Sequence, residues 1–79
     1  MQVRVKLFGT LGSKWSGYNH DEGLIIELPK GANVNDLVKT LSLENSRIGM
    51  VCINHQKVNP EDLLPDGAKV SVYQPICGG

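Results

Sequence analysis

The sequence predicts a small α+β domain in which one helix packs on one face of one β-sheet. Apolar and polar residues alternate near both ends of the chain, over residues 2–8 and 68–74, and a period of two is typical of half-buried strands. Between these segments, residues 33–42 carry a single apolar stripe at helical spacing. Because one helix can cover only one face of a sheet, we expect two layers and an open second sheet face.

Two strands and a long connection are predicted in the first third of the chain. The inward positions of the first strand are Val3, Val5 and Leu7, and the outward, solvated positions include Arg4 and Lys6. Residues 24–28 form a short apolar run that predicts a second strand, antiparallel to the first. The connection, residues 9–23, is polar and rich in glycine, and a loop of this length is either functional or partly mobile.

The helix is predicted together with both of its ends. Asn33 is a suitable N-cap, and Asp36 places a carboxylate in the first turn, near the positive end of the helix dipole. The apolar stripe consists of Val34, Leu37, Val38 and Leu41. We expect the helix to end near Ser42. About nine residues make only a marginal helix in isolation, so it must be stabilised by packing on the sheet.

The remaining strands follow the helix. Residues 50–54 predict a third strand, residues 54–57 a turn, and Val58 the centre of a short extended piece. Leu63 and Leu64 lie between two prolines and are expected to fill the core. Residues 68–74 form the last strand, whose core-facing side chains are Val70 and Val72.

This order of elements predicts the β-grasp, or ubiquitin-like, fold. A right-handed crossover through the helix would place the last strand beside the first, in parallel. The result is a mixed sheet with one main helix on one face. We expect residues 1–75 to form this domain and residues 76–79 to form a flexible C-terminal tail that ends in Gly78 and Gly79.

Composition excludes several classes of function. The chain has 79 residues, with eight Lys and Arg against eight Asp and Glu, so it has no bulk attraction for nucleic acid or anionic lipid. No apolar run approaches the ~20 residues of a membrane span, and the N-terminus does not resemble a signal peptide. Two cysteines make neither a disulfide framework nor a zinc cluster. We therefore expect a soluble cytoplasmic domain without bound cofactor or metal, too small to hold a deep active-site cavity.

No catalytic constellation is visible among the side chains. His20 and His55 fall in predicted turns, without partners at metal-ligand spacing, and Cys52 lies inside an apolar strand as a small core residue. Trp15 and Tyr18 either close the long loop by local packing or contact a partner. Phe8 and Tyr73 lie off the core-facing registers of their strands.

The C-terminus is the feature that carries chemistry. Glycines without side chains can enter a channel too narrow for other residues. The reactive group would then be the carboxylate of Gly79, which is ionised at neutral pH. An ionised carboxylate does not react with a sulfur nucleophile until its oxygen becomes a good leaving group. Attack of that oxygen on the α-phosphate of ATP would produce such a group as an acyl-adenylate.

The whole chain resembles the MoaD/ThiS family of ubiquitin-like sulfur carriers. The segments that carry the resemblance are VRVKLFGTL, LPKGANVNDLVKTL, VCINHQKV and LLPDGAKVSVYQPICGG. Two positions depart from the family pattern. Ala68 follows the Asp-Gly turn where an acid is common, and Cys77 precedes the glycine pair where relatives often carry Ala, Ser or Gly.

The resemblance implies a sulfur carrier that is not an enzyme on its own. A ubiquitin-activating-like adenylyltransferase would consume ATP to adenylate Gly79, and a persulfide-bearing protein would supply sulfur for a C-terminal thiocarboxylate. The recipient would be the large subunit of a molybdopterin-synthase-like complex or a thiazole-forming enzyme. The long loop over residues 9–23 favours molybdopterin or tungstopterin biosynthesis over thiamine biosynthesis.

Two alternatives stay open at the level of sequence. A ubiquitin-like modifier would use the same activated terminus to form isopeptide bonds with lysines, and a plain β-grasp interaction module would have an incidental tail. Partner binding is expected on the open sheet face and the tail. The predicted contact residues are Phe8, Tyr73, Pro75, Ile76, Cys77 and Gly78.

Overall fold

Five strands form one mixed sheet in the computed structural model, which describes residues 1–75 without the side chains of Lys14 and Asn45. The strands are β1 (Gln2–Leu7), β2 (Leu24–Glu27), β3 (Met50–Ile53), β4 (Gln56–Val58) and β5 (Lys69–Tyr73), and helix α1 spans Val34–Thr40. Two short 3-10 turns, Leu11–Lys14 and Asn45–Arg47, lie in the connections.

Strand β5 lies at the centre of the sheet, whose order is β2-β1-β5-β3-β4. It pairs in parallel with β1, with Val5 opposite Val70, and antiparallel with β3, with Val51 opposite Val72. Strand β2 pairs antiparallel with β1, as predicted. The topology confirms the expected β-grasp arrangement, in which the last strand of the chain lies beside the first.

Helix α1 begins at a capping box. The side chain of Asn33 accepts a hydrogen bond from the Asp36 backbone at 2.8 Å, and the Asp36 carboxylate accepts one from the Asn33 backbone at 3.0 Å. The predicted end near Ser42 is confirmed, since this residue adopts a φ of 57°. Ser42 then donates its N–H to Lys39, and Leu43 donates to Val38, which satisfies the last carbonyl groups.

The core lies between α1 and the sheet, and one of its predicted members is wrong. The buried side chains include Val3, Val5 and Leu7 of β1, Val70 and Val72 of β5, and Val34, Leu37 and Val38 of the helix. Leu64 is buried at 5% exposure, but Leu63 is 68% exposed and is not a core residue. Successive residues of an extended segment point to opposite sides. The backbone of Leu64 donates to Ala32, and this pairing directs only Leu64 inward.

The turn between β3 and β4 is tighter than predicted. Asn54 and His55 both adopt positive φ, 50° and 72°, which matches a two-residue hairpin turn of type I′. Strand β4 therefore starts at Gln56, within the segment predicted as a turn. No helix within residues 1–75 is long and apolar enough to cross a bilayer.

Candidate functional site at the exit of the C-terminal tail

Pro75 is the last residue that the structure describes, and it follows the end of β5 by two positions. The other predicted tail residues, Ile76, Cys77, Gly78 and Gly79, lie outside the described residues, so their assignment as a reactive end stays a prediction. What the structure defines is the point from which this tail starts and the surface around that point.

The end of β5 is paired on both sides. Phe8 donates its backbone N–H to the carbonyl of Val72 at 2.9 Å, and Gly49 donates to the carbonyl of Tyr73 at 2.8 Å. The ladder therefore continues to the last residue of the strand. Because β5 is the central strand, the tail starts near the middle of the sheet and not beside an edge strand.

Gln74 is held by a reciprocal pair of hydrogen bonds. Its side-chain oxygen accepts from the Thr10 backbone at 3.1 Å, and its side-chain nitrogen donates to the Thr10 hydroxyl at 2.7 Å. A Cβ added at Gly9 would lie 1.9 Å from the Gln74 oxygen, and Gly9 has a φ of 66°. The left-handed backbone favours glycine here, and a larger residue would also displace the Gln74 side chain from Thr10.

A second glycine flanks the opposite side of the same segment. A Cβ at Gly49 would lie 2.6 Å from the Cα of Pro75 and 2.7 Å from the carbonyl oxygen of Gln74. These are backbone atoms, which cannot move aside as a flexible side chain can. We call Gly9, Thr10 and Gly49 the exit collar. The sequence interpretation missed the collar, because Gly9 and Gly49 lie just outside their strands and their contacts are with residues distant in the chain.

Two predicted contact residues, Phe8 and Tyr73, stack on each other beside the exit collar. Their ring centroids are 4.4 Å apart at an interplanar angle of 19°. His20 meets Phe8 edge-on at 4.7 Å. Met50, opposite Tyr73 in the register, is 36% exposed. Phe8, His20, Met50 and Tyr73 form an aromatic patch on the sheet face opposite α1, and the expectation that Phe8 and Tyr73 lie off the core registers is confirmed.

The loop over residues 9–23 folds against the end of β1. The hydroxyl of Tyr18 accepts a hydrogen bond from the Leu7 backbone at 2.7 Å and lies 3.4 Å from Nδ1 of His20. Trp15 is half-buried and packs against the core. Local packing, one of the two interpretations of Trp15 and Tyr18, is therefore realised. The loop lines an open surface hollow of about 620 Å³, to which Phe8 and His20 of the aromatic patch also contribute.

Cys52 is buried, as predicted, but it does not belong to the main core. It is 8% exposed and lies on the sheet face opposite α1, between Ser71 and Lys57 in the register. Within residues 1–75, no three His, Cys, Asp or Glu side chains are grouped closely enough to hold a metal ion. His55 is exposed in the β3–β4 turn.

These features define a β-grasp domain of the ubiquitin-like class, in which the central strand delivers the chain to the edge of an open face. The chain belongs to the ThiS family, whose model matches residues 5–79. No curated protein matches the sequence significantly.

Solved structures with the same fold cover nearly the whole chain. One is a Pyrococcus furiosus protein described as molybdopterin converting factor, subunit 1, with a TM-score of 0.75 at 24% identity, covering 96% of this chain and 99% of that one. Another is small archaeal modifier protein 1 of Haloferax volcanii, with a TM-score of 0.73 at 15% identity, covering 95% and 98%. At these identities the likeness establishes the shared fold.

Proposed function

We propose that this protein is a sulfur carrier whose C-terminal Gly79 is converted to a thiocarboxylate that donates sulfur in cofactor biosynthesis. The observation that carries the proposal is the ThiS family match, which runs through Gly78 and Gly79. The exit collar supports it, because a reactive terminus must be presented at a defined point. The open sheet face beside that point is available to a partner enzyme.

The chemistry needs three steps that take place on other proteins. A carboxylate oxygen of Gly79 attacks the α-phosphate of ATP, pyrophosphate leaves, and an acyl-adenylate forms. A persulfide sulfur then attacks the carbonyl carbon, and AMP leaves. Cleavage of the resulting sulfur–sulfur bond by a thiol releases the thiocarboxylate. This chain contributes a side-chain-free terminus and a binding surface, while an adenylyltransferase and a persulfide-bearing protein contribute the reaction pockets.

The acceptor that fits best is a molybdopterin or tungstopterin precursor, bound by the large subunit of a synthase. The 9–23 loop is long and packed, and the structure described as molybdopterin converting factor subunit 1 shares this fold over 99% of its own length. A thiazole-forming enzyme of thiamine biosynthesis is the alternative recipient.

A protein modifier is the second candidate function. The likeness to small archaeal modifier protein 1 favours it, because that protein shares this fold over nearly its whole length. Both functions use an adenylated Gly79 and differ only in the nucleophile, which is a persulfide sulfur in one case and a lysine amine in the other.

The decisive experiment incubates the purified protein with ATP, a ubiquitin-activating-like adenylyltransferase and a persulfide donor, followed by intact mass spectrometry. We expect one sulfur to replace one oxygen. A variant that lacks Gly78 and Gly79 is expected to keep its unfolding midpoint and to gain no sulfur. Absence of ATP–pyrophosphate exchange with the intact chain would contradict both functions. Ladders of lysine conjugates without a thiocarboxylate species would favour the modifier.

A further inference from the structure

The open sheet face carries a basic hollow at the end remote from the exit collar. In the register of β1 and β5, Arg4 lies directly opposite Lys69, and Lys6 lies opposite Ser71. The β3–β4 turn adds Asn54 and His55 to the rim, and the hollow encloses about 190 Å³. We call Arg4, Lys6, Lys69 and Ser71 the basic trough. The surface is recessed here because Ser71 and its partner in the register, Cys52 of the adjacent strand, have small side chains.

The cations of the basic trough are not neutralised by the rest of the described chain. Within residues 1–75, Arg4, Lys6 and Lys69 form no ion pair with a carboxylate, and the Arg4 guanidinium donates instead to the backbone carbonyl of Glu22. Arg4 and Lys69 are like charges on neighbouring strands, and like charges at this spacing repel each other. The nearby carboxylates of Glu27 and Asp66 are both engaged by Gln2.

We propose that the basic trough docks an acidic segment of a protein partner, whose Asp or Glu side chains enter between Arg4, Lys6 and Lys69. This proposal rests on the proposed function only for the identity of the partner, which we take to be the adenylyltransferase that activates the tail. A carboxylate in the trough would neutralise the unfavourable pair of Arg4 and Lys69. The trough and the aromatic patch would then be two parts of one interface.

The surroundings favour a protein over a nucleic acid as the occupant. The chain has no net charge, and Lys57, opposite Cys52, is one further cation on the open face beside the three of the basic trough. Phe8 follows Arg4 by four positions, a distance of about 13 Å at the usual rise of a strand. An apolar patch beside a localised cluster of charges is the composition of a protein interface with a polar rim.

The direct test is a titration of the isotope-labelled protein with a synthetic glutamate-rich peptide, followed by nuclear magnetic resonance. We expect the peptide to shift the amide signals of Arg4, Lys6 and Lys69. In the Lys6→Glu/Lys69→Glu variant, we expect the peptide to cause no shifts at these three positions. The matched control is Lys30→Glu/Lys39→Glu, which changes net charge equally at exposed positions on the helix side. Equal shifts in both variants, no shifts at all, or tighter binding of single-stranded DNA would overturn the proposal.

A second measurement uses the adenylyltransferase. We expect the Lys6→Glu/Lys69→Glu variant to raise KM about tenfold at low salt with kcat unchanged, because two lost charge contacts of ordinary strength correspond to that factor. The neutral variant Lys6→Gln/Lys69→Gln, with its unfolding midpoint measured, separates lost binding from lost stability. An unchanged KM in both variants would overturn the proposal. If the intact chain gives no exchange at all, the sulfur-carrier function fails, and the peptide titration still decides the trough.

Discussion

At the scale of single residues, Gly49 shows how one missing side chain shapes the site. Its N–H pairs with Tyr73, while its Cα faces the backbone of Gln74 and Pro75. We expect Gly49→Ala to lower the free energy of unfolding by about 1–3 kcal/mol, since the added methyl group overpacks rigid backbone. The amide signals of Tyr73 and Gln74 should shift, because the segment that leads into the tail is displaced.

The control for this prediction is Gly31→Ala. A Cβ at Gly31 has nothing within 4 Å, but the residue has a φ of 92°. The substitution should cost about 1–2 kcal/mol through backbone strain alone and leave the Gln74 signals in place. Equal shifts of the Gln74 signals in both variants would show that the exit collar does not act through contact.

Leu63 and Leu64 test burial at adjacent positions. We expect Leu64→Ala to cost about 2–4 kcal/mol, because it removes a buried side chain and leaves a cavity. Leu63→Ala should change stability by less than about 0.5 kcal/mol, since its side chain is largely in solvent already. Chemical denaturation of the two variants checks the contrast, and similar losses would contradict the assignment of the faces.

At the scale of elements, α1 depends on its N-terminal cap as well as on its apolar stripe. Asn33 and Asp36 satisfy each other's backbone N–H groups, which would otherwise lack partners. We expect Asn33→Ala to cost about 1 kcal/mol in urea denaturation. Lys39→Ala, at an exposed position of the same helix, should change stability by less than about 0.5 kcal/mol. If Lys39→Ala lowered the free energy of unfolding more than Asn33→Ala, the stability of α1 would not depend mainly on the cap.

The elements themselves could be predicted because each follows a local rule. Alternation in β1 and β5, and the Asn33–Asp36 cap, are visible in the sequence without any knowledge of the neighbouring chain. The β3–β4 turn and the direction of Leu63 could not be predicted in the same way. They depend on which backbone groups find partners across the sheet and against Ala32, and this is a property of the assembled chain.

At the scale of the whole molecule, the two faces of the sheet differ in burial and in composition. One face is buried under α1, and the other carries the aromatic patch and the basic trough. We expect Phe8→Ala/Tyr73→Ala to raise the KM of the chain as a substrate of the adenylyltransferase, because the stacked pair lies beside the tail exit. The unfolding free energy should fall by less than about 3 kcal/mol, since neither ring is in the core.

The control for the aromatic patch is Leu63→Ala, which removes an exposed apolar side chain from another surface of the domain. It should leave KM unchanged. If Phe8→Ala/Tyr73→Ala lost 3 kcal/mol or more, the two rings would belong to the structural core and not to a partner surface.

The sequence by itself determined the order of the strands and the helix and the membership of most of the core, while the role of the terminal glycines stays a prediction. Those properties follow from local periodicity, capping and composition. Only the tertiary structure decided what surrounds the start of the tail. The exit collar joins Gly9, Thr10 and Gly49 to Gln74, and the basic trough joins Arg4 to Lys69. These residues are distant in the chain and become neighbours only when β5 pairs between β1 and β3. No local sequence pattern could therefore have predicted these contacts.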